Sequence, residues 1–112
     1  MKVSFEDHDT ISVLTISGSL TIDQQDSFRR TFDERLDSGI QDFVLDIEHL
    51  THVDSTGLEM LLWLQDEATR RAGRVKLVNP EELVRIALHV TRLEGRFDVH
   101  DSVEAAAKSL RG

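Results

Sequence analysis

The sequence has no cysteine among its 112 residues. That excludes a disulfide framework, thiol chemistry and any thiolate metal site. It suits a reducing cytoplasm, the location expected for the chain. Proline occurs once, at Pro80, and no Pro- or Gly-rich linker divides the chain. Long apolar runs are missing as well. The longest uncharged stretch, Thr10 to Ile22, is broken by Ser and Thr and is too short to cross a bilayer. Met1-Lys2 leads into Phe5-Glu6-Asp7, which is not the pattern of a signal peptide, and neither terminus carries a lipidation signal. Basic residues are scarce: 13 Lys and Arg stand against 21 Asp and Glu, a net charge of −8. A nucleic-acid binder needs cations facing phosphates, so no nucleic acid is expected as partner. An anionic membrane surface is disfavoured on the same ground.

What is present is enough for one core. Leu, Ile, Val and Phe make up 35 of the 112 residues, well above the roughly 20% below which chains tend to stay disordered. The length fits a single domain over residues 1–112. Charge is uneven: residues 1–56 carry 4 basic and 12 acidic side chains, residues 57–112 carry 9 of each. An acidic surface should therefore come from the first half and should steer basic partners, unless it serves only solubility.

Apolar periodicity outlines the elements. Val3 to Phe5 and Ile11 to Ile16, separated by polar His8-Asp9, read as an antiparallel hairpin that ends at Gly18. Thr21-x-x-Gln24 forms a capping-box signature, and Phe28, Phe32 and Leu36 make one stripe of a helix that stops at Ser38-Gly39. Phe43 to Ile47 is apolar almost throughout, as expected for a strand buried on both faces. A second helix runs from near Ser55 to before Gly73, followed by a strand at Val75 to Val78. Asn79-Pro80-Glu81-Glu82 reads as a helix start with Asn79 as N-cap, and Leu83, Ile86 and Ala87 as its apolar face. Phe97 to Val99 reads as a short edge strand. Asp101-x-x-Glu104 caps a last helix carrying Val103, Ala106, Ala107 and Leu110. The order β-β-α-β-α-β-α-β-α predicts an α/β domain with a mixed sheet of about four to five strands and helices packed against it.

One segment carries chemistry. Leu50-Thr51-His52-Val53-Asp54-Ser55-Thr56-Gly57-Leu58 joins a buried strand to a helix, and function gathers at the carboxyl ends of strands in open α/β sheets. Asp54 is a good N-cap, which puts Ser55 in the first turn, where backbone N–H groups lack partners. A phosphate on Ser55 suits that position, because a helix N-terminus favours negative charge by ~0.3–1 kcal/mol. Gly57 is expected to leave the surface over that turn uncrowded for an approaching molecule. Asp46 either orients this loop or is satisfied by backbone donors at its strand end.

Phe43-Val44-Leu45-Asp46-Ile47 followed by Leu50-Thr51-x-Val53-Asp54-Ser55-Thr56-Gly57-Leu58 resembles the signature of the STAS-domain anti-sigma factor antagonists. The opening hairpin, Gly18-x-Leu20 and Val78-Asn79-Pro80 extend the resemblance over residues 3–110. It implies a STAS fold and a protein that is not an enzyme. It further implies that Ser55 is phosphorylated by an anti-sigma factor Ser kinase and dephosphorylated by a PP2C-type phosphatase. The unphosphorylated form would bind the kinase and free a sigma factor, with Asp54, Ser55, Thr56 and Gly57 in the docking loop. Two positions depart from the pattern: Glu59 stands where many members have Gly, and Thr21 where many have an acid. Both bear on partner identity. STAS domains also serve unphosphorylated in transporters and signalling scaffolds.

Other chemistries find less support. His49, His52 and Asp54 lie close in sequence, yet no second cluster follows, so neither metal nor cofactor is expected. No G-x-S-x-G elbow, P-loop or dinucleotide fingerprint is present. On the second helix, at 100° per residue, Leu58, Leu61, Leu62, Gln65, Ala68 and Ala72 share a face, with Met60 and Trp63 nearly opposite. Met60 and Trp63 are then either an exposed patch for the partner or, for the Trp, a ring lying flat over its neighbours. The chain is expected to be a monomer or weak dimer.

Overall fold

Residues 1–111 are described by a computed structural model. Six strands and four helices follow in the order β1 (Lys2–His8), β2 (Ile11–Leu20), α1 (Gln25–Asp37), β3 (Asp42–Asp46), β4 (Leu50–Val53), α2 (Ser55–Arg70), β5 (Val75–Val78), α3 (Glu82–Val90), β6 (Asp98–His100) and α4 (Val103–Arg111). The sheet runs β1-β2-β3-β5-β6. β1 is antiparallel to β2, and the other pairs are parallel. The α/β class and mixed sheet agree with the sequence reading.

The segment that joins the buried strand to the second helix contains a further strand, β4. β3 pairs with β2 as far as Thr15 and Asp46, then leaves. β4 takes its place alongside the end of β2, pairing Gly18 with Leu50 and Leu20 with Val53, with an irregularity between Gly18 and Ser19. The segment entering α2 is therefore anchored to the sheet.

Strand alternation distributes the core. Leu14, Ile16, Phe43, Leu45, Val75 and Leu77 share one face with α1, α2 and the buried side of α3. Val44 and Val78 point the other way and meet Ala106 and Leu110 of α4. The unbroken run in β3 thus has both faces buried. Phe28, Phe32 and Leu36 form the buried stripe of α1, as their spacing predicts. Lys76 is buried under the α4 side, where its Nζ meets Asp98 Oδ2 at 2.6 Å. That hydrogen bond holds the Asp98 carboxyl below its usual range.

Three local expectations are corrected. Asn79 does not cap α3: it takes a left-handed conformation (φ 50°), its N–H donates to the His100 carbonyl at 3.0 Å, and Pro80 is buried. The helix begins only at Glu82, with the Glu81 carboxylate accepting from Leu83 N at 3.1 Å. Its buried face is Val84 and Leu88, with Ala87 partly covered. Leu83 and Ile86 point outward at 62% and 48% exposure. α4 is capped by Ser102, whose Oγ accepts from Ala105 N at 3.0 Å, because β6 extends to His100 and leaves Asp101 in the bend.

Ser12 sits fully buried on β2 among the apolar side chains, and its hydroxyl has no partner among the described residues. An unsatisfied buried hydroxyl costs free energy that a methyl group does not. Ser12→Ala is expected to raise the unfolding free energy by about 1 kcal/mol. A denaturant titration with unchanged slope and a higher midpoint checks it; a lower midpoint contradicts it.

Candidate functional site

The loop from β4 into α2 is set by Asp54. Its backbone is extended, and its carboxylate makes two hydrogen bonds to main-chain donors. Oδ1 accepts from Gly57 N at 2.8 Å, closing the first turn of α2. Oδ2 accepts from Ile22 N at 3.1 Å, in the 3₁₀ turn (Ile22–Gln24) that precedes α1. One side chain therefore ties together the starts of two helices. The N-cap role read from sequence is present, and the second bond links residues 32 positions apart.

Ser55 is exposed as the first residue of α2, and Thr56 beside it is half-buried. Gly57 has a different role from the one expected. It is buried, and a Cβ there would lie 2.1 Å from the Leu20 carbonyl oxygen and 3.0 Å from Val53 Cγ1. The missing side chain lets the helix seat on β2 and leaves no opening toward solvent. Asp46 Oδ1 accepts from Glu48 N at 3.2 Å, so it is satisfied at its own strand end. Thr21 is half-buried and turned inward: its N–H and Oγ1 both donate to Gln24 Oε1, at 2.9 and 2.8 Å.

The face of α2 is rotated from the predicted one. Leu58, Leu61 and Ala68 of the expected face are buried, together with Gly57, Met60 and Leu64, whereas Leu62 and Gln65 are only partly covered. Ala72 lies beyond the helix in a left-handed conformation (φ 62°) and is exposed. The expectation that Met60 faces solvent is overturned: it is 5% exposed. The cause is α1, which packs along α2 and claims the flank that a lone helix on a sheet would leave open. Trp63 lies at the border of that contact. Its ring meets Phe28 edge-on at 6.4 Å, and the Arg29 guanidinium stacks over it at 4.3 Å. Gln25, Arg29, Glu59, Met60 and Trp63 line a groove of about 170 Å³ between the two helices.

Sequence reasoning missed Ile22, which is 62% exposed and adjoins the Asp54 clamp. The available signal was phase: Ile22 falls outside the Phe28–Phe32–Leu36 stripe. Exposed acids surround the same region at Asp23, Asp26 and Glu59. His52 Nδ1 lies 3.1 Å from Thr51 Oγ1. Among the described residues no group of three His, Asp or Glu is gathered as a metal would need, and no helix is long and apolar enough to cross a membrane.

A family model described as STAS domain matches residues 2–106. A STAS-domain containing protein of Pseudomonas aeruginosa is 29% identical over 86 residues, covering 77% of this chain and 84% of the relative. The anti-sigma factor antagonist SpoIIAA, in its unphosphorylated form, superposes with a TM-score of 0.86 at 22% identity, covering 99% of this chain and 97% of that one. Its phosphorylated form, from Bacillus, gives 0.76 at 20% identity, over 96% and 99%. A murine solute carrier anion transporter contains a similar fold, with a TM-score of 0.79 at 18% identity over 95% of this chain and 18% of the transporter. At these identities the structural likenesses show the fold alone.

Proposed function

The chain belongs to the STAS domain family, and from that premise we propose that it is an anti-sigma factor antagonist switched by phosphorylation of Ser55. Unphosphorylated, it binds an anti-sigma factor Ser kinase and so frees a sigma factor for transcription in a bacterial cytoplasm. The kinase transfers the γ-phosphoryl of ATP to Ser55 Oγ, the hydroxyl proton leaves, and the complex dissociates. A PP2C-type phosphatase hydrolyses the phosphoester and restores the hydroxyl. The chain contributes the acceptor and the docking surface; the transfer chemistry belongs to its partner.

The observation that carries this reading is the placement of Ser55. It is exposed at the start of α2, on a loop held by both oxygens of Asp54. The added charge, roughly −1.5 to −2 at pH 7, falls where helix N–H groups tolerate it, so the fold persists. A docked partner would have to strip water from that dianion, which ends close contact. Around Ser55, the docking surface comprises Asp54, Thr56, Ile22 and the groove rim at Glu59 and Trp63. Thr21, Gly57 and Met60 support it from beneath. The acids favour a basic partner surface and an association that weakens with salt.

Incubation with ATP and candidate Ser kinases from the same genome, followed by phosphosite mapping, tests the switch. Modification is expected on Ser55, and Ser55→Ala should bind the kinase while resisting modification. Phosphate at another residue overturns the assignment. The second reading, a STAS module that works unphosphorylated in a transporter or scaffold, draws on the fold it shares with the murine anion transporter. Capture of a membrane transporter, with no kinase able to modify Ser55, favours it.

Trp63→Ala is expected to weaken kinase binding by about 1–3 kcal/mol, as loss of an aromatic anchor does. Because the ring also packs on Phe28, affinity and thermal stability are measured on the same protein. A large loss of stability with unchanged affinity returns Trp63 to a packing role.

A further inference from the structure

Away from the Ser55 loop, a groove of about 320 Å³ opens between α3 and β6, at the border of the sheet opposite β1. Its walls are Pro80, Leu88, Phe97 and Val99. Leu88 and Phe97 are 2% and 6% exposed, Pro80 is buried and Val99 half-buried. The rim carries two opposite charges, Arg85 from α3 and Glu94 from the 3₁₀ turn (Glu94–Arg96) that precedes β6. A mostly apolar cleft on which a few polar groups converge is the usual form of a small-molecule site. Its volume lies at the low end of the ~300–1,000 Å³ that such sites span, so the ligand it suits is small.

The two charges face one space without meeting. Arg85 forms no ion pair within the chain among the described residues. Glu94 is held in place by His89, whose Nδ1 lies 2.8 Å from its Oε1. At 100° per residue Arg85, Leu88 and His89 share one side of α3. The other oxygen of Glu94, Oε2, has no partner among the described residues. An apolar floor between an unpaired guanidinium and an unpaired carboxylate oxygen matches a molecule that has a carboxylate, an ammonium group and an apolar side chain. An apolar acid would set its carboxylate against Glu94, and an apolar amine would set its ammonium against Arg85.

We propose that this groove binds a free α-amino acid with an apolar side chain. Arg85 takes the carboxylate through paired N–H donors, Glu94 Oε2 accepts from the ammonium group, and the side chain lies on Leu88, Phe97 and Val99. A free amino acid fits better than a peptide, because a chain terminus presents one of the two charges and not both. A ligand of about ten non-hydrogen atoms held in this way should dissociate at about 0.1–1 mM. The binding does not depend on phosphorylation of Ser55, since the groove shares no residue with the loop that Asp54 holds.

Titration of the isotope-labelled whole chain with leucine, followed by amide NMR, reads the site. Saturable shifts are expected at Arg85, Leu88, Glu94, Phe97 and Val99, with Ser55 unmoved. Arg85→Gln and Glu94→Gln should each raise the dissociation constant about tenfold. Both variants should melt as the wild type does, because the two positions are exposed. Isocaproate, which is leucine without its ammonium group, and leucinamide, which lacks the carboxylate, should each bind about tenfold more weakly than leucine. No saturable shift from leucine, methionine or phenylalanine up to about 10 mM overturns the proposal. Isocaproate binding as tightly as leucine also overturns it, since Glu94 then selects nothing. Shifts centred on other residues, or an affinity unchanged by Arg85→Gln, reject this groove as the site.

Discussion

Phe32→Ala is expected to lower the unfolding free energy by ~3–5 kcal/mol, a large part of the ~5–15 kcal/mol available to a domain of this kind. Phe32 is fully buried. Its ring centroid lies 4.5 Å from that of Phe28 on the same helix and 5.6 Å, edge-on, from that of Phe43 on β3. The side chain thus joins α1 to the sheet, and its removal leaves a space that neither neighbour can fill without shifting. Urea unfolding with the slope unchanged and the midpoint strongly lowered is the expected result. Phe32→Leu, which keeps most of the volume, should cost well under half as much. A midpoint unmoved by Phe32→Ala would mean that α1 is held by other contacts.

Gly57→Ala should be nearly as damaging, for the opposite reason. The added methyl would meet the Leu20 carbonyl oxygen at 2.1 Å, and a backbone atom paired within a sheet cannot swing aside as a side-chain tip can. The cost is expected at about 3 kcal/mol, the upper end of overpacking. The first turn of α2 should also lift, carrying Ser55 with it and weakening partner binding beyond the effect of Ser55→Ala. Gly39→Ala provides the contrast. There the backbone is left-handed (φ 95°) but no atom lies within 4 Å, so only the conformational cost of roughly 1–2 kcal/mol applies. Thermal melts of the two variants side by side decide the point. If they melt together, the contact with Leu20 gives way more easily than its backbone nature implies.

The parts of this fold that were legible in the sequence are those in which one pattern had one interpretation. Phe28, Phe32 and Leu36 admit a single helical stripe, and Phe43 to Leu45 a strand covered on both sides. Asp54 announced the start of α2 because a carboxylate there has an N–H to bind. α3 was different. In Glu82-Leu-Val-Arg-Ile-Ala-Leu-His-Val90 the apolar residues span about 200° of the helix surface at 100° per residue, and Leu83 with Ile86 competes evenly with Val84 and Leu88. The position of the sheet decides between them, and local sequence does not encode it. β4 was hidden because its four residues include exposed Thr51 and His52, and because it exists only where β3 leaves room beside β2. Met60 departs from the one-face pattern because α2 packs against both the sheet and α1, and local sequence does not show the second neighbour.

β1 forms one border of the sheet, and among the described residues no strand lies beyond it. All of it is exposed except Val3, which is partly covered. A row of unpaired main-chain donors and acceptors is a template on which a further strand, from any chain, can be laid. What guards it here is charge: Lys2, Glu6, Asp7 and His8 fall within its seven residues. Asp7 is fixed by Arg35 at 2.7 Å, and Arg35 also roofs the Phe5 ring at 3.9 Å. The protection against fibrous growth therefore resides in a few side chains and not in any covering element, so it can be lost by substitution without loss of the fold.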